Sequence, residues 1–81
     1  MNNLYIISEV LSDYTPGMAV IAAPSLKRCR EIFITDLSEI FTNALSFYTD
    51  EFDSAIENGY YKVIDNVYHD EGVVSYVVGG G

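Results

Sequence analysis

The chain has few of the residues on which many protein classes depend. Its 81 residues include one cysteine, one histidine, two prolines and no tryptophan. A single cysteine, Cys29, excludes an intrachain disulfide and favours a reducing compartment, so we expect a cytoplasmic protein. His69 has no second histidine or cysteine at ligand spacing, and the sequence therefore predicts no metal and no cofactor.

Long apolar runs and basic side chains are also scarce. The longest apolar run, residues 18–23, is far shorter than the roughly 20 residues that span a bilayer. The first residues lack the basic region and apolar stretch of a secretory signal. Four basic side chains stand against twelve carboxylates, for a net charge of −8. We therefore expect no membrane insertion and no direct binding to nucleic acid, whose phosphates would be repelled.

The carboxylates are concentrated in one part of the chain. Residues 1–30 carry two acids and three basic side chains, a net charge of +1, whereas residues 31–81 carry ten acids and only Lys62, a net charge of −9. So uneven a field restricts the partners to those with a basic surface. A hydrophobic content of 49% with seven tyrosines and four phenylalanines is too high for a disordered acidic tail, and the length suits a single domain, 1–81.

Apolar periodicity predicts an α+β fold with the order β-β-α-α(-α)-β-β. The economical architecture is a four-stranded, mainly antiparallel sheet with the helices on one face and some tyrosines on the open face. In the first strand, alternation places Leu4, Ile6 and Val10 on one face and Tyr5, Ile7 and Glu9 on the other. The predicted elements are strands at 4–11, 18–23, 60–68 and 73–78, and helices that start at 24–25, at 35–36 and at 49.

Turn and cap residues set the predicted boundaries. Pro16-Gly17 has the composition of a type II turn, and Ser25 is the expected N-cap of the first helix. Asp36 with Glu39 resembles a capping box at the start of the second helix.

The last third of the chain carries two further boundary signals. Gly59 is well placed to end the last helix as its C′ residue. Residues 69–72 contain a glycine and separate the last two predicted strands, which the sequence therefore predicts to form a hairpin.

Carboxylates of the predicted second and third helices form the candidate binding site. Three of them recur at i, i+3 and i+7, where like charges repel one another by a few tenths of a kcal/mol per pair. Such a surface can imitate the phosphates of a nucleic-acid backbone, and the other interpretation is a face that keeps the protein soluble. Tyrosines of the last strands serve either as sheet formers or as interface residues. The complete predicted set is Asp36, Glu39, Asp50, Asp53, Glu57, Asp70, Glu71, Tyr60 and Tyr68.

The other polar residues form no catalytic motif. Lys27, Arg28 and Arg30 can hold a phosphate or an acidic peptide, but we favour a solvated helix face that steadies the protein's own carboxylates. Cys29 falls on an apolar helix face and is predicted to be a buried small hydrophobic residue. The sequence has no P-loop, dinucleotide fingerprint or nucleophile elbow, so we predict that the protein is not an enzyme.

The chain resembles small uncharacterised proteins of tailed bacteriophages in the stretch LYIISEVLSDYTPGMAVIAAPSLKRCREIF and in the ending GVVSYVVGGG. Tyr5-Ile6-Ile7, Ala22-Ala23 and Ser25-Leu26 are loosely similar to one family of phage anti-CRISPR proteins. The resemblance implies a short acidic phage inhibitor that acts in the host cytoplasm. Its partner would be a host protein or ribonucleoprotein with a basic nucleic-acid-binding surface. The resemblance assigns no binding residue to this chain.

Gly79-Gly80-Gly81 supports a different hypothesis. A chain of this length and element order that ends in Gly-Gly is similar to ubiquitin-like sulfur carriers, whose terminal glycine is adenylylated and converted to a thiocarboxylate. That resemblance implies an activating enzyme as the partner and Gly81 as the reacting residue, whereas a frayed terminus is the simpler interpretation. A third hypothesis is a small subunit that forms a homodimer through its sheet edge or open face.

Overall fold

The protein folds as a four-stranded antiparallel sheet with two helices, in a computed structural model that describes residues 1–12, 15–37 and 45–79, residues 45 and 46 without their side chains. The strand order is β3-β1-β2-β4, so the predicted α+β class is confirmed. Neither helix in these ranges has the length and hydropathy needed to cross a bilayer. The elements are β1 (Asn2–Val10), β2 (Gly17–Ala23), α1 (Leu26–Leu37), α2 (Leu45–Glu57), β3 (Tyr61–Val67) and β4 (Gly72–Val77).

Both helices pack against one face of the sheet. Apolar residues recur at three- and four-residue spacing in each helix, so that each has one side to bury. Phe33 of α1 and Phe52 of α2 meet with their ring centroids 4.8 Å apart. The buried core consists of Tyr5, Ile7, Val10, Leu11, Ala19, Ile21, Ala23, Cys29, Ile32, Phe33, Leu37, Phe52 and Ala55.

The first strand contains a bulge that changes the predicted alternation. Glu9 has a φ of 61°, and the register between β1 and β2 shifts at this residue. Because a bulge inserts one extra residue, Val10 turns into the core and Glu9 is exposed. The prediction that Val10 shares a face with Leu4 and Ile6 is therefore wrong.

The predicted hairpin of β3 and β4 is also wrong. These strands lie at opposite edges of the sheet, with β1 and β2 between them. Neighbouring strands are about 4.8 Å apart, so the connection between the two edges spans about 14 Å. Residues 68–71 cross the ends of β1 and β2, and Asn2 Nδ2 donates a hydrogen bond of 2.8 Å to the His69 carbonyl oxygen. The β1–β2 hairpin has two outer edges, and each later strand pairs with one of them.

The helix boundaries differ from the prediction between the two helices. α1 continues through Asp36 to Leu37, because Leu37 extends the buried side of the helix. Asp36 thus lies in the last turn of α1, and the predicted capping box at this residue is wrong. α2 begins at Leu45, four residues before the predicted start of the third helix. Glu39 lies outside the described residues.

The predicted caps at Ser25 and Gly59 are confirmed. The Ser25 Oγ accepts a hydrogen bond of 3.2 Å from the Arg28 amide in the first turn of α1. Gly59 has a φ of 77°, and the Tyr60 amide beyond it donates at 2.8 Å to the Ala55 carbonyl oxygen. This arrangement supplies hydrogen-bond donors to carbonyl groups at the end of α2 and turns the chain toward β3.

Gly17 starts β2 and does not complete the predicted type II turn after Pro16. A type II turn requires a left-handed φ at that position, and Gly17 has none. A Cβ atom at Gly17 would lie 2.7 Å from the Val10 carbonyl oxygen and 2.9 Å from that of Leu11, and closer still to that of Val77. Glycine is required here because three backbone segments approach one another, and not because of the turn.

Candidate functional site

Three carboxylates project from α2 on the side that faces away from the sheet. We call Asp50, Asp53 and Glu57 the α2 acidic stripe. All three are exposed, whereas Phe52 and Ala55 on the opposite side of the helix are buried. Their i, i+3 and i+7 spacing is helical as predicted, and the buried side of α2 holds them in place on the sheet.

Asp53, in the middle of the stripe, is paired with α1. Arg30 donates from Nε to Oδ1 at 2.7 Å and from Nη2 to Oδ2 at 2.9 Å. The hydrogen bond from Arg30 lowers the pKa of Asp53, and the same contact raises the pKa of Arg30. Within the described part of the chain, Asp50 and Glu57 are thus the members of the stripe that have no ion pair.

A second arginine of α1 binds the carboxylate of Glu71, just before β4. Arg28 Nε and Nη2 lie 2.8 Å and 2.7 Å from Glu71 Oε1, and this hydrogen bond raises the pKa of Arg28. Glu31 Oε2 is 3.8 Å from Arg28 Nη1. The prediction that the basic residues of α1 steady the protein's own carboxylates is confirmed for Arg28 and Arg30. Lys27 is exposed and has no ion pair among the described residues.

The other predicted site residues lie on different elements. Asp36 is exposed at the end of α1, and Asp70 is exposed in the segment that connects β3 to β4. Tyr68 lies in the same segment and is 92% exposed. Tyr60 is exposed between α2 and β3. Tyr60 and Tyr68 thus lie at the two ends of β3, outside α2, and their part in binding stays a prediction.

A shallow groove between α1 and α2 borders the stripe. Its volume is about 440 Å³, and most of its floor is apolar. Such a floor beside charged groups suits an apolar side chain of a protein partner. Sequence reasoning missed the groove because it exists only where the two helices pack side by side, although the apolar side of each helix was a signal. The groove is lined by Leu26, Phe52 and Ile56 and by the charged residues Lys27, Arg30, Asp53 and Glu57.

Cys29 and His69 do not form a reactive pair. Cys29 is buried on α1, as predicted, and burial raises the pKa of its thiol to about 12, so that the thiol is protonated at neutral pH. His69 is exposed, with Nδ1 2.7 Å from the Asp70 carbonyl oxygen. Across residues 1–12, 15–37 and 45–79, no group of three or more His, Cys, Asp or Glu side chains is arranged to hold a metal ion.

Gly79, the first of the three final glycines, belongs to the folded part of the chain. It is buried, and its amide donates a hydrogen bond of 2.9 Å to the Leu11 carbonyl oxygen. Fraying, which the sequence suggested for this segment, therefore does not begin at Gly79. Gly80 and Gly81 lie outside the described residues, and the sulfur-carrier hypothesis stays a prediction.

The chain matches no protein-family model, no curated protein and no solved structure. The protein is therefore described by its fold and its surface. The fold is antiparallel α+β, and the surface has the α2 acidic stripe and an adjoining groove with an apolar floor.

The Arg30–Asp53 pair predicts a pH dependence of stability. Asp53→Asn should lower the free energy of unfolding by about 0.5 kcal/mol at neutral pH, because exposed ion pairs contribute little after solvent screening. The pKa of Asp53 is lowered in the folded state, so its contribution is present above the ordinary value of 3.8 and is lost as the pH falls through the lower folded pKa. Urea unfolding of both proteins from neutral to acidic pH should show the two curves converging.

Asp50→Asn is the matched control for this experiment, since Asp50 is exposed on the same helix and has no ion pair among the described residues. It should leave the stability unchanged or slightly raise it, because it relieves repulsion within the stripe. An equal loss in both variants would show that the Arg30 contact contributes nothing specific.

Proposed function

We propose that this protein is a non-enzymatic binding module that uses the α2 acidic stripe to engage a basic, nucleic-acid-binding surface of another protein. The observation that carries the proposal is the placement of Asp50 and Glu57, exposed on one side of α2 and unpaired within the described residues. Seven residues of helix separate them by about 10.5 Å along the axis. Both charges project from the same side of the helix, so they are closely spaced and, among the described residues, not neutralised by a neighbour, as the phosphates of a nucleic-acid backbone are.

The charge balance supports the same proposal. Arg28 and Arg30 are already paired with Glu71 and Asp53, so the excess of carboxylates is not neutralised within the described molecule. A net charge of −8 attracts a basic partner from a distance and repels nucleic acid itself. Association should therefore be fast and should slow as salt screens the attraction.

Apolar contact area adjoins the stripe on both sides. Phe47 is 57% exposed and precedes Asp50 by one turn of α2. The groove between α1 and α2, which Asp53 and Glu57 help to line, adds an apolar floor that a partner side chain can fill. Charges flanking an apolar anchor are typical of protein interfaces, in which a few buried contacts supply most of the affinity.

The narrower hypothesis is a phage inhibitor of the anti-CRISPR kind, and it rests on the sequence resemblance alone. On that hypothesis the partner is a host defence ribonucleoprotein, and the stripe occupies a basic channel that otherwise holds nucleic acid. The inhibitor would then act in the host cytoplasm without chemical change to either partner.

Affinity capture from host lysate tests the proposal with a charge-neutral variant of the stripe, Asp50→Asn combined with Glu57→Gln. The tagged protein should retain a partner that is released by added double-stranded oligonucleotide and by raised salt. The variant should retain at least tenfold less of that partner. Glu9→Gln combined with Asp65→Asn removes the same charge from exposed positions outside α2 and outside the predicted set, and this control should retain the partner fully. Equal retention by both variants, or indifference to the oligonucleotide, would contradict the proposal.

A further inference from the structure

The sheet face opposite the two helices is largely aliphatic. Residues that are paired directly across neighbouring strands share a face of the sheet. Leu4 pairs with Ile64, Ile6 with Val20, and Met18 with Val77. Along β1 and β2 these residues alternate with core residues that pack under the helices. We call Leu4, Ile6, Met18, Val20, Ile64 and Val77 the open face.

This face does not have the composition of a sheet surface that contacts water. An antiparallel sheet with one solvated face alternates apolar and polar residues. β1 instead contains the run Leu-Tyr-Ile-Ile and β2 the run Met-Ala-Val-Ile-Ala-Ala, a pattern typical of strands covered on both faces. Ile64 is 47% exposed and Val77 is 54% exposed. The helices cover one face, so the sequence pattern calls for a second layer on the other.

Carboxylates are absent from the paired positions of this face. The polar residues paired with members of the open face are Ser8, Ser75 and Lys62, and Lys62 is the one charged residue among the paired positions of the described strands. Glu9 and Asp65, the acids inside the strands, both lie at register shifts and are unpaired. The face is therefore the side on which two molecules of net charge −8 can approach with least repulsion.

We infer that a second copy of this chain packs on the open face, sheet against sheet, about a two-fold axis. The two sheets lie about 10 Å apart in such a pairing, and the helices and the acidic stripes lie on the outside. A basic protein partner would gain nothing from a face without carboxylates, whereas an aliphatic face complements itself. The inference is independent of the proposed function, because the α2 acidic stripe stays exposed in the dimer.

The size of the open face indicates how strong the dimer is. Four strands about 4.8 Å apart, with about six residues each at about 3.3 Å per residue, give roughly 400 Å² per copy. Two copies bury roughly 800 Å², against about 1,200 to 2,000 Å² in a standard stable interface. The dimer should therefore be weak and should form at micromolar to millimolar concentration.

Sedimentation equilibrium over that concentration range tests the inference on the full chain. The protein should shift from monomer to dimer, and Ile64→Glu should raise the dissociation constant at least tenfold. Phe47→Glu places the same charge at an exposed apolar position on α2 and should leave it unchanged, as should the charge-neutral stripe variant. A monomer at every concentration, or an Ile64→Glu dimer equal to wild type, would overturn the inference. The second result would indicate pairing elsewhere, for instance along the edge of β4, across the sheet from Ile64.

The methionine methyl groups provide a second measurement that needs no substitution. Met18 lies on the open face, whereas Met1 is 73% exposed and lies outside it. In protein labelled at the methionine methyl carbons, the Met18 resonance should shift with concentration and become protected from a soluble paramagnetic agent. The Met1 resonance should do neither. An unchanged Met18 resonance under conditions where sedimentation detects a dimer would exclude the open face as the interface.

Discussion

Phe52→Ala should lower the free energy of unfolding by about 4 kcal/mol, because it removes a large buried ring and leaves a cavity. Phe52 is 1% exposed and packs against Phe33 at a tilt of 44°. That contact joins α2 to α1 above the sheet. A domain of 81 residues has a total stability of roughly 4 to 12 kcal/mol, so the substitution should remove between about a third and all of it.

Phe47→Ala is the matched control for Phe52→Ala, since it removes the same ring from the same helix at a position that is 57% exposed. Its effect should stay within about 0.5 kcal/mol. Denaturant unfolding followed by circular dichroism measures both variants. A cost below about 1 kcal/mol for Phe52→Ala, far less than burial of this ring contributes, would contradict the packing of α2 described here.

Gly17→Ala should lower the free energy of unfolding by about 3 kcal/mol, because it adds a methyl group where there is no space. The methyl group would meet the carbonyl oxygens of Val10, Leu11 and Val77. These are backbone atoms of two different strand regions, and they cannot move aside as the end of a long side chain can. The strain should therefore separate β2 from β4 at this corner of the sheet.

Gly59→Ala distinguishes this steric cause from the conformational freedom of glycine. No atom lies within 4 Å of a Cβ at Gly59, and only its left-handed φ of 77° opposes a side chain. That variant should lose about 1 kcal/mol. Thermal unfolding compares the two, with a shift of about 4 to 8 °C per kcal/mol for a domain of this size. If Gly17→Ala is no less stable than Gly59→Ala, the close approach at Gly17 is not the cause.

The two proposed surfaces lie on opposite sides of the molecule. The α2 acidic stripe faces away from the sheet, and the open face lies beneath the sheet. A dimer through the open face would therefore present two stripes outward, and a partner with two basic sites would be bound with a higher effective affinity. The variants Ile64→Glu and Asp50→Asn with Glu57→Gln separate the two functions, since each affects one surface.

Short-range features were predictable because neighbours along the chain determine them. Ser25 and Gly59 act as caps through hydrogen bonds that span at most five residues. The hydroxyl group of Ser25 and the absence of a side chain at Gly59 are sufficient for these roles. The α2 acidic stripe follows from the helical period in the same way. The partners of the arginines on α1 were predictable as a class, the protein's own carboxylates, but not as the individual residues Glu71 and Asp53.

Which strands are neighbours and which residues share a face of the sheet could not be predicted from neighbours along the chain. The four-residue connection after β3 has the length of a hairpin loop, yet it crosses two strands because the central β1–β2 hairpin offers a free edge on each side. Leu37 extended α1 past the predicted cap at Asp36, because the benefit of burial outweighed the local capping signal. The bulge at Glu9 turned the Val10 side chain into the core, and an alternating sequence pattern does not reveal such a bulge.

The sequence by itself determined the α+β class, the scarcity of basic side chains and the presence of acids opposite an apolar helix side. These depend on composition and on periods of two and 3.6 residues, which are local properties. Only the tertiary structure decided which strands are neighbours, which carboxylates are paired with arginines, and that the apolar residues of β1 and β2 form an uncovered face. Those features depend on segments distant in the chain coming together, and burial in one shared core selects among the arrangements that the local patterns allow.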